Sequence, residues 1–203
     1  MAVLPGSEEL LNKLARYLRP GRVEHSRNVA QAAAGLARLH APELEAAAEV
    51  AGITHDNAKQ LTPGELLDAA RLHGLEINEF EEAYPQLLHG KVGAALLPER
   101  FGIDDPQVAQ AVADHVTGHA GMGTLSLILY AADQCAADRD FPGVENVRRA
   151  AQEDLRSAAW LVAWHKLTWA AQRKRLIDPR TVEVYNELLA FAPAPNEQPG
   201  APV

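Results

Sequence analysis

Apolar positions along this chain recur at helical spacing, at i, i+3, i+4 and i+7, with no sustained apolar–polar alternation of the kind that marks a half-buried strand. The pattern predicts an all-α fold. A first helix is read over residues 7–18, stopped by Arg19-Pro20-Gly21, and a second over 22–39, ending before Pro42 because the residue ahead of a proline is driven out of the helical region. A third covers 43–55. The run Thr62-Pro63-Gly64-Glu65 opens a fourth: Thr62 can cap, Pro63 suits the first helical position, and Glu65 can reach back to the cap N–H. Further helices are predicted over 87–100, where Pro98 ends or kinks the element, and over 106–116 behind an Asp105 cap. Others follow over 124–137, 144–174 with a break near Asp154, and 179–190. Residues 1–191 read as a single helical-bundle domain without internal repeats. Residues 192–203, APAPNEQPGAPV, are rich in Pro and Gly, lack core formers, and read as a disordered tail.

Composition narrows the class. The 203 residues are 47% hydrophobic and 23% charged, the balance of an ordered globular domain. No apolar run approaches the roughly 20 residues of a membrane span, and the opening MAVLPGSEELL has neither the basic region nor the apolar stretch of a signal peptide, so a cytoplasmic location is expected. The 19 Lys and Arg against 27 Asp and Glu leave a formal charge of −8, which argues against nucleic acid or an anionic membrane as partner. A small anionic ligand would need a locally positive site, and a homodimer is compatible with the pattern. The single cysteine, Cys135, precludes an internal disulfide and a cysteine-cluster metal site, leaving nitrogen and oxygen donors.

Four of the eight histidines fall on the apolar face of their helix. His25 aligns with Val29, Ala32 and Leu36; His55 closes the row Leu44, Ala48, Ala51; His89 begins the row Val92, Leu96; His115 closes Val108, Ala111, Val112. One such histidine is ordinary core, but four in a small core call for a common partner, a metal or a phosphate. His40, His73, His119 and His165 lack this support and are read as structural. Asp56 follows His55 directly. Asp133 lies in a stretch, residues 125–137, that is apolar nearly all round and therefore buried; an ionised carboxylate there costs several kcal/mol unless a cation compensates it. A salt bridge to Arg139 is the bland partner and a divalent metal the better one.

The ordered set His25, His55-Asp56 and Asp133 resembles the H…HD…D signature of HD-domain metal-dependent phosphohydrolases. The segments His55-Asp56-Asn57-Ala58-Lys59, Leu88-His89-Gly90-Lys91-Val92-Gly93-Ala94, Arg139-Asp140-Phe141-Pro142-Gly143-Val144 and Leu176-Ile177-Asp178-Pro179-Arg180-Thr181 are similar to stretches of its YqeK branch, in the same order and over nearly all the ordered chain. Members of that branch are symmetrical diadenosine tetraphosphatases, which hydrolyse Ap4A to two ADP and carry iron. The resemblance implies His25, His55, Asp56 and Asp133 as metal ligands. It also implies His89 and His115 at the phosphates or at a second metal, and nucleotide contacts from Arg22, Val116, Arg139, Leu176, Ile177, Asp178, Pro179, Arg180 and Thr181. Where the branch has HTTGR this chain has His115-Val116-Thr117-Gly118-His119, and Asp178 stands where the branch has histidine.

A mixed imidazole–carboxylate set suits Fe, Mn or Zn without selecting among them; iron comes from the resemblance. An ion with open positions lowers the pKa of bound water and polarises phosphorus. The expected reaction is in-line attack of that hydroxide on the tetraphosphate, with Asp56, Lys59, His89 and His115 as the catalytic group and Lys59 and Arg139 neutralising developing charge. Alternatives are another HD nucleotide phosphohydrolase, a 5′-nucleotidase or cyclic-nucleotide phosphodiesterase, or a nucleotide-sensing module without turnover.

Overall fold

The computed structural model describes residues 6–193, and among these the secondary structure is helical, with no strand. The tail read as disordered lies, from residue 194, outside the described residues. Helix α1 (Ser7–Leu14) is shorter than expected; the chain turns after Leu14 yet still buries Leu18. Helix α2 (Pro20–His40) starts on its own proline, where the missing N–H has no intrahelical use. A 3₁₀ turn at Pro42–Leu44 leads into α3 (Glu45–Thr54). Helix α4 (Pro63–Leu72) opens with the capping box read from the sequence: Glu65 N–H donates to Thr62 Oγ1 at 3.3 Å and Thr62 N–H to Glu65 Oε2 at 2.7 Å.

The helix expected over 87–100 is three pieces, a 3₁₀ turn Pro85–Leu88, α6 (His89–Ala95) and α7 (Leu97–Phe101), with Pro98 in the first turn of α7 where it fits best. Ahead of them lies α5 (Glu79–Ala83), absent from the sequence reading because five residues show no period; its own capping box, Asn78 with Glu81, was the available signal. Helix α8 (Pro106–Asp114) is capped by Asp105 and followed by α9 (Thr124–Cys135). The long stretch 144–174 divides at Asp154. That residue is extended, ends α10 (Val144–Glu153) and caps α11 (Leu155–Gln172) by accepting Arg156 N–H at 2.8 Å. Helix α12 (Pro179–Glu187) is capped by Asp178.

Helix α9 is the central element, packed by α2, α3, α8, α10 and α11, which is why its sequence is apolar on nearly every side. Two close crossings around it set the site. At Gly52 a Cβ would lie 2.5 Å from Ala30 Cα, so only glycine lets α3 approach α2 this closely. At Gly90 a Cβ would lie 2.8 Å from Ala113 O, which holds α6 against α8 in the same way. A smaller apolar cluster of Ala58, Leu66, Ala70, Leu88, Val92 and Leu96 supports α4 and α6.

Candidate metal centre

The two glycine crossings draw four histidines into one group. The His25 and His55 ring centroids are 5.5 Å apart across α2 and α3, and those of His89 and His115 are 5.0 Å apart across α6 and α8. His55 joins the two pairs, with its ring 5.0 Å from that of His115. His25, His55, Asp56, His89, His115 and Asp133 are all buried.

Three of these rings share one device. His55, His89 and His115 each stand at a helix boundary and donate Nδ1–H to the carbonyl three residues back, to Gly52 at 2.8 Å, to Gln86, and to Val112 at 2.7 Å. That hydrogen bond fixes the tautomer and leaves each Nε2 a bare acceptor. The three Nε2 atoms converge on Asp56: His89 and His115 lie 3.4 and 3.5 Å from Oδ1, and His55 3.7 Å from Oδ2. His55 Nε2 is also 3.8 Å from Asp133 Oδ1 and, though buried, has no hydrogen-bond partner. Lone pairs facing carboxylate oxygens repel unless positive charge lies among them, so the donor set fits a cation. His25, His55 and Asp133 form one group of close donor atoms, and His55, Asp56 and His115 a second that shares His55. His25 closes the ring, with Nε2 3.2 Å from Asp133 Oδ1 and Nδ1 2.8 Å from Asp138 Oδ2.

The protonation states match this arrangement. Burial pushes the His55 imidazole down to about 4 against the pull of Asp56, and pushes His89 down to about 4 with Lys59 adding to the effect. Both rings are therefore neutral near pH 7. Burial alone would raise Asp56 and Asp133. The positive charge of Lys59 beside Asp56, and His25 and Arg139 beside Asp133, oppose it, and both carboxyls are held well below the usual range. His25 is the opposite case, since burial is overcome by the hydrogen bond and charge of Asp133 and its pKa rises.

Basic side chains rim the cluster. Lys59 Nζ is 3.0 Å from His89 Nε2 and 3.9 Å from Asp56 Oδ1, and Arg22 reaches Asp56 Oδ2 at 3.3 Å. Arg139 donates Nε–H to the Asp133 carbonyl at 2.7 Å and a second N–H to the Asp133 carboxylate, so the ion pair weighed as the bland partner of Asp133 is present together with the histidines. Beside the rim opens a cavity of about 970 Å³. Val116, Leu176, Ile177, Asp178 and Thr181 line it, and Gln134, which donates to Asp133 Oδ2 at 2.9 Å, joins it to the cluster. Pro179 begins α12, and Arg180 turns to Asp178 and to Glu81, at 2.7 and 2.8 Å. His119 pairs with Asp114 at 3.3 Å. His165, read as structural, stands in the cavity wall against Phe141 and Trp164.

Sequence reasoning passed over Asp138, which orients His25, and Lys166, which lines the cavity. Asp138 lies past the end of α9, where helical spacing carries no information. Lys166 had a readable signal, as the one cation in the middle of an apolar helix.

The HD domain family profile matches residues 22–140. A protein of Halalkalibacterium halodurans named "Bis(5'-nucleosyl)-tetraphosphatase, symmetrical" is 34% identical over 85% of this chain and 91% of its own length, and one of Bacillus subtilis with the same name is 29% identical over 90% and 97%. A crystal structure of a "predicted HD superfamily hydrolase involved in NAD metabolism" from Clostridium acetobutylicum superposes with a TM-score of 0.87 at 29% identity, covering 93% of this chain and 99% of that one.

Proposed function

Because this chain belongs to the HD domain family, a metal-dependent phosphohydrolase fold, and to its branch of symmetrical bis(5′-nucleosyl)-tetraphosphatases, we propose that it hydrolyses Ap4A to two molecules of ADP. The observation that carries the reading is the convergence of bare imidazole nitrogens on Asp56 and Asp133 at the edge of a cavity of nucleotide size. In this reading His25, His55, Asp56 and Asp133 hold the divalent ion, iron first, with Mn and Zn equally suited to the donors. Bound there, the ion supplies Lewis-acid charge and lowers the pKa of water at the site.

The chain's own groups do the rest. Lys59, Arg22 and Arg139 provide the local positive charge that the acidic surface lacks, stabilising the polyphosphate and the charge that develops as ADP departs. His89 and His115, fixed by their carbonyl bonds, face the phosphates or a second ion. Asp138 holds His25 in place, which keeps the ring aimed at Asp133. Val116, Leu176, Ile177, Asp178 and Thr181 border the nucleoside, with Pro179 and Arg180 fixing the start of α12 beneath them. Among the described residues no helix is long and apolar enough to cross a membrane.

The test is chromatography of the products from Ap4A and metal-loaded protein, with Asp56→Ala as control. ADP as sole product, abolished in the variant, is the expected result. AMP with ATP would refute the symmetrical reading, and phosphate release from mononucleotides without Ap4A turnover would replace it with a different phosphohydrolase.

A further inference from the structure

Lys166 is a cation held by neutral groups, with no carboxylate in ion-pair contact among the described residues. Its helix, α11, carries one other Lys or Arg, Arg156 in its first turn, and no acid. The Lys166 ammonium donates to the His115 carbonyl at 3.0 Å and the Val116 carbonyl at 2.8 Å, and rests 3.8 Å from the centroid of the Tyr130 ring. Among the described residues no carboxylate pairs with it. An ammonium has three N–H donors, and the two carbonyls take two of them.

Its position gives that charge a use. Lys166 and Val116 share the cavity wall, and the two carbonyls it holds follow directly from the His115 ring, so the ammonium stands on the cavity side of the cluster. Lys59 stands against the neighbouring ring, His89. Symmetrical cleavage of a tetraphosphate leaves a diphosphate on each side of the broken bond, and a site in a chain of net charge −8 needs a counter-charge for each.

We infer that Lys166 is a phosphate-contacting residue, its ammonium taking the diphosphate of the nucleotide half that occupies the cavity, while Lys59 takes the phosphate charge beside His89 and Asp56. The assignment rests on the dinucleoside tetraphosphate reading above. It differs from a purely structural role, in which the lysine only staples the end of α8 to α11.

Calorimetric titration of metal-loaded wild type, Lys166→Gln and Lys166→Arg with ADP, AMP and adenosine separates these readings. Gln keeps donors for the carbonyls and removes the charge; Arg keeps both. Lys166→Gln is expected to bind ADP about tenfold or more weakly, the size of one lost charge-assisted hydrogen bond. Its adenosine affinity should stay within about twofold, and Lys166→Arg should recover most of the ADP affinity. Unchanged ADP binding in Lys166→Gln would overturn the inference, as would equal weakening of ADP and adenosine, the mark of a wall that has simply collapsed. Should Lys166→Gln fail to fold, Lys166→Arg decides alone: retained preference for ADP over adenosine supports the assignment, and a lost preference rejects it. Wild type that binds none of the three would instead sink the hydrolase reading itself.

Discussion

Replacing Gly52 by alanine tests whether helix spacing, not only ligand identity, creates the metal centre. The added methyl would sit 2.5 Å from Ala30 Cα and 2.8 Å from Ala30 N, against an ordinary carbon contact of about 3.5–4.0 Å. Both obstacles are backbone, so relief requires α2 and α3 to part by roughly 1 Å. Overpacking of this kind costs about 1–3 kcal/mol, offset by up to ~1 kcal/mol from the better helix propensity of alanine. The expected net loss of about 1–2 kcal/mol lowers Tm by about 2–8 °C in a domain of this size. The separation acts harder on the site. His25 rides on α2 and His55 follows α3, and metal–donor distances tolerate only about 0.2 Å. We expect Gly52→Ala to remain helical at 25 °C while losing most of its bound metal and on the order of 10²-fold in kcat/KM for Ap4A. Gly35→Ala is the control, since its nearest neighbour would be Arg38 at 3.9 Å, and it should be neutral or stabilising by up to ~1 kcal/mol. Elemental analysis and steady-state kinetics beside a circular-dichroism melt decide it. Full metal content and kcat/KM within about threefold of wild type, in a Gly52→Ala protein with a lowered Tm, would show that the crossing does not set the centre.

Other changes address separate links in the argument. Asp133→Asn keeps the volume of the side chain but removes a carboxylate that faces His25 and His55, so metal content should fall below about a tenth with the helical spectrum preserved; wild-type content by elemental analysis would contradict the ligand assignment. For Asp178, burial works to raise the carboxyl but the hydrogen bonds and charge of Arg180 win and lower it below 3.8. A depressed folded-state pKa contributes stability above the unfolded value and loses it as pH falls through the folded one. The urea midpoint of Asp178→Asn should therefore trail wild type at pH 7, with the gap narrowing below pH 3.8, and a gap that widens on acidification would reverse the sign of the argument. Asp154→Ala removes the cap of α11 and should cost about 1 kcal/mol in denaturant unfolding without changing metal content; no loss of stability would mean that the α10–α11 break is held by packing alone.

The parts of the fold that could be read from the chain were those set by local chemistry. The Thr62–Glu65 capping box, the Asp105 cap and the break at Asp154 depend on residues a few positions apart, and all stand as read. Four histidines on apolar faces announced a shared centre because each helix buries one stripe. What was hidden depends on chain segments meeting. Neither the Gly52 nor the Gly90 crossing has a local signature, since a glycine inside a helix looks only like a poor helix former. The carbonyl tie that sets the His55, His89 and His115 tautomers exists because each ring falls at a helix boundary, and boundaries are the least legible feature of a periodic pattern. Asp138 reaches His25 from outside any helix, and α5 is too short for a period.

The donor atoms of the candidate centre come from α2, the end of α3 and the last turn of α9, segments separated by up to 108 positions in sequence. A cation gripping all of them is a cross-link that the unfolded chain has no means to make. Ligation and folding are then one equilibrium: each hundredfold of free ion over its dissociation constant adds about 2.7 kcal/mol to the native state. A cell short of the metal would hold a smaller and more easily degraded pool of this protein, so that supply sets abundance as well as turnover.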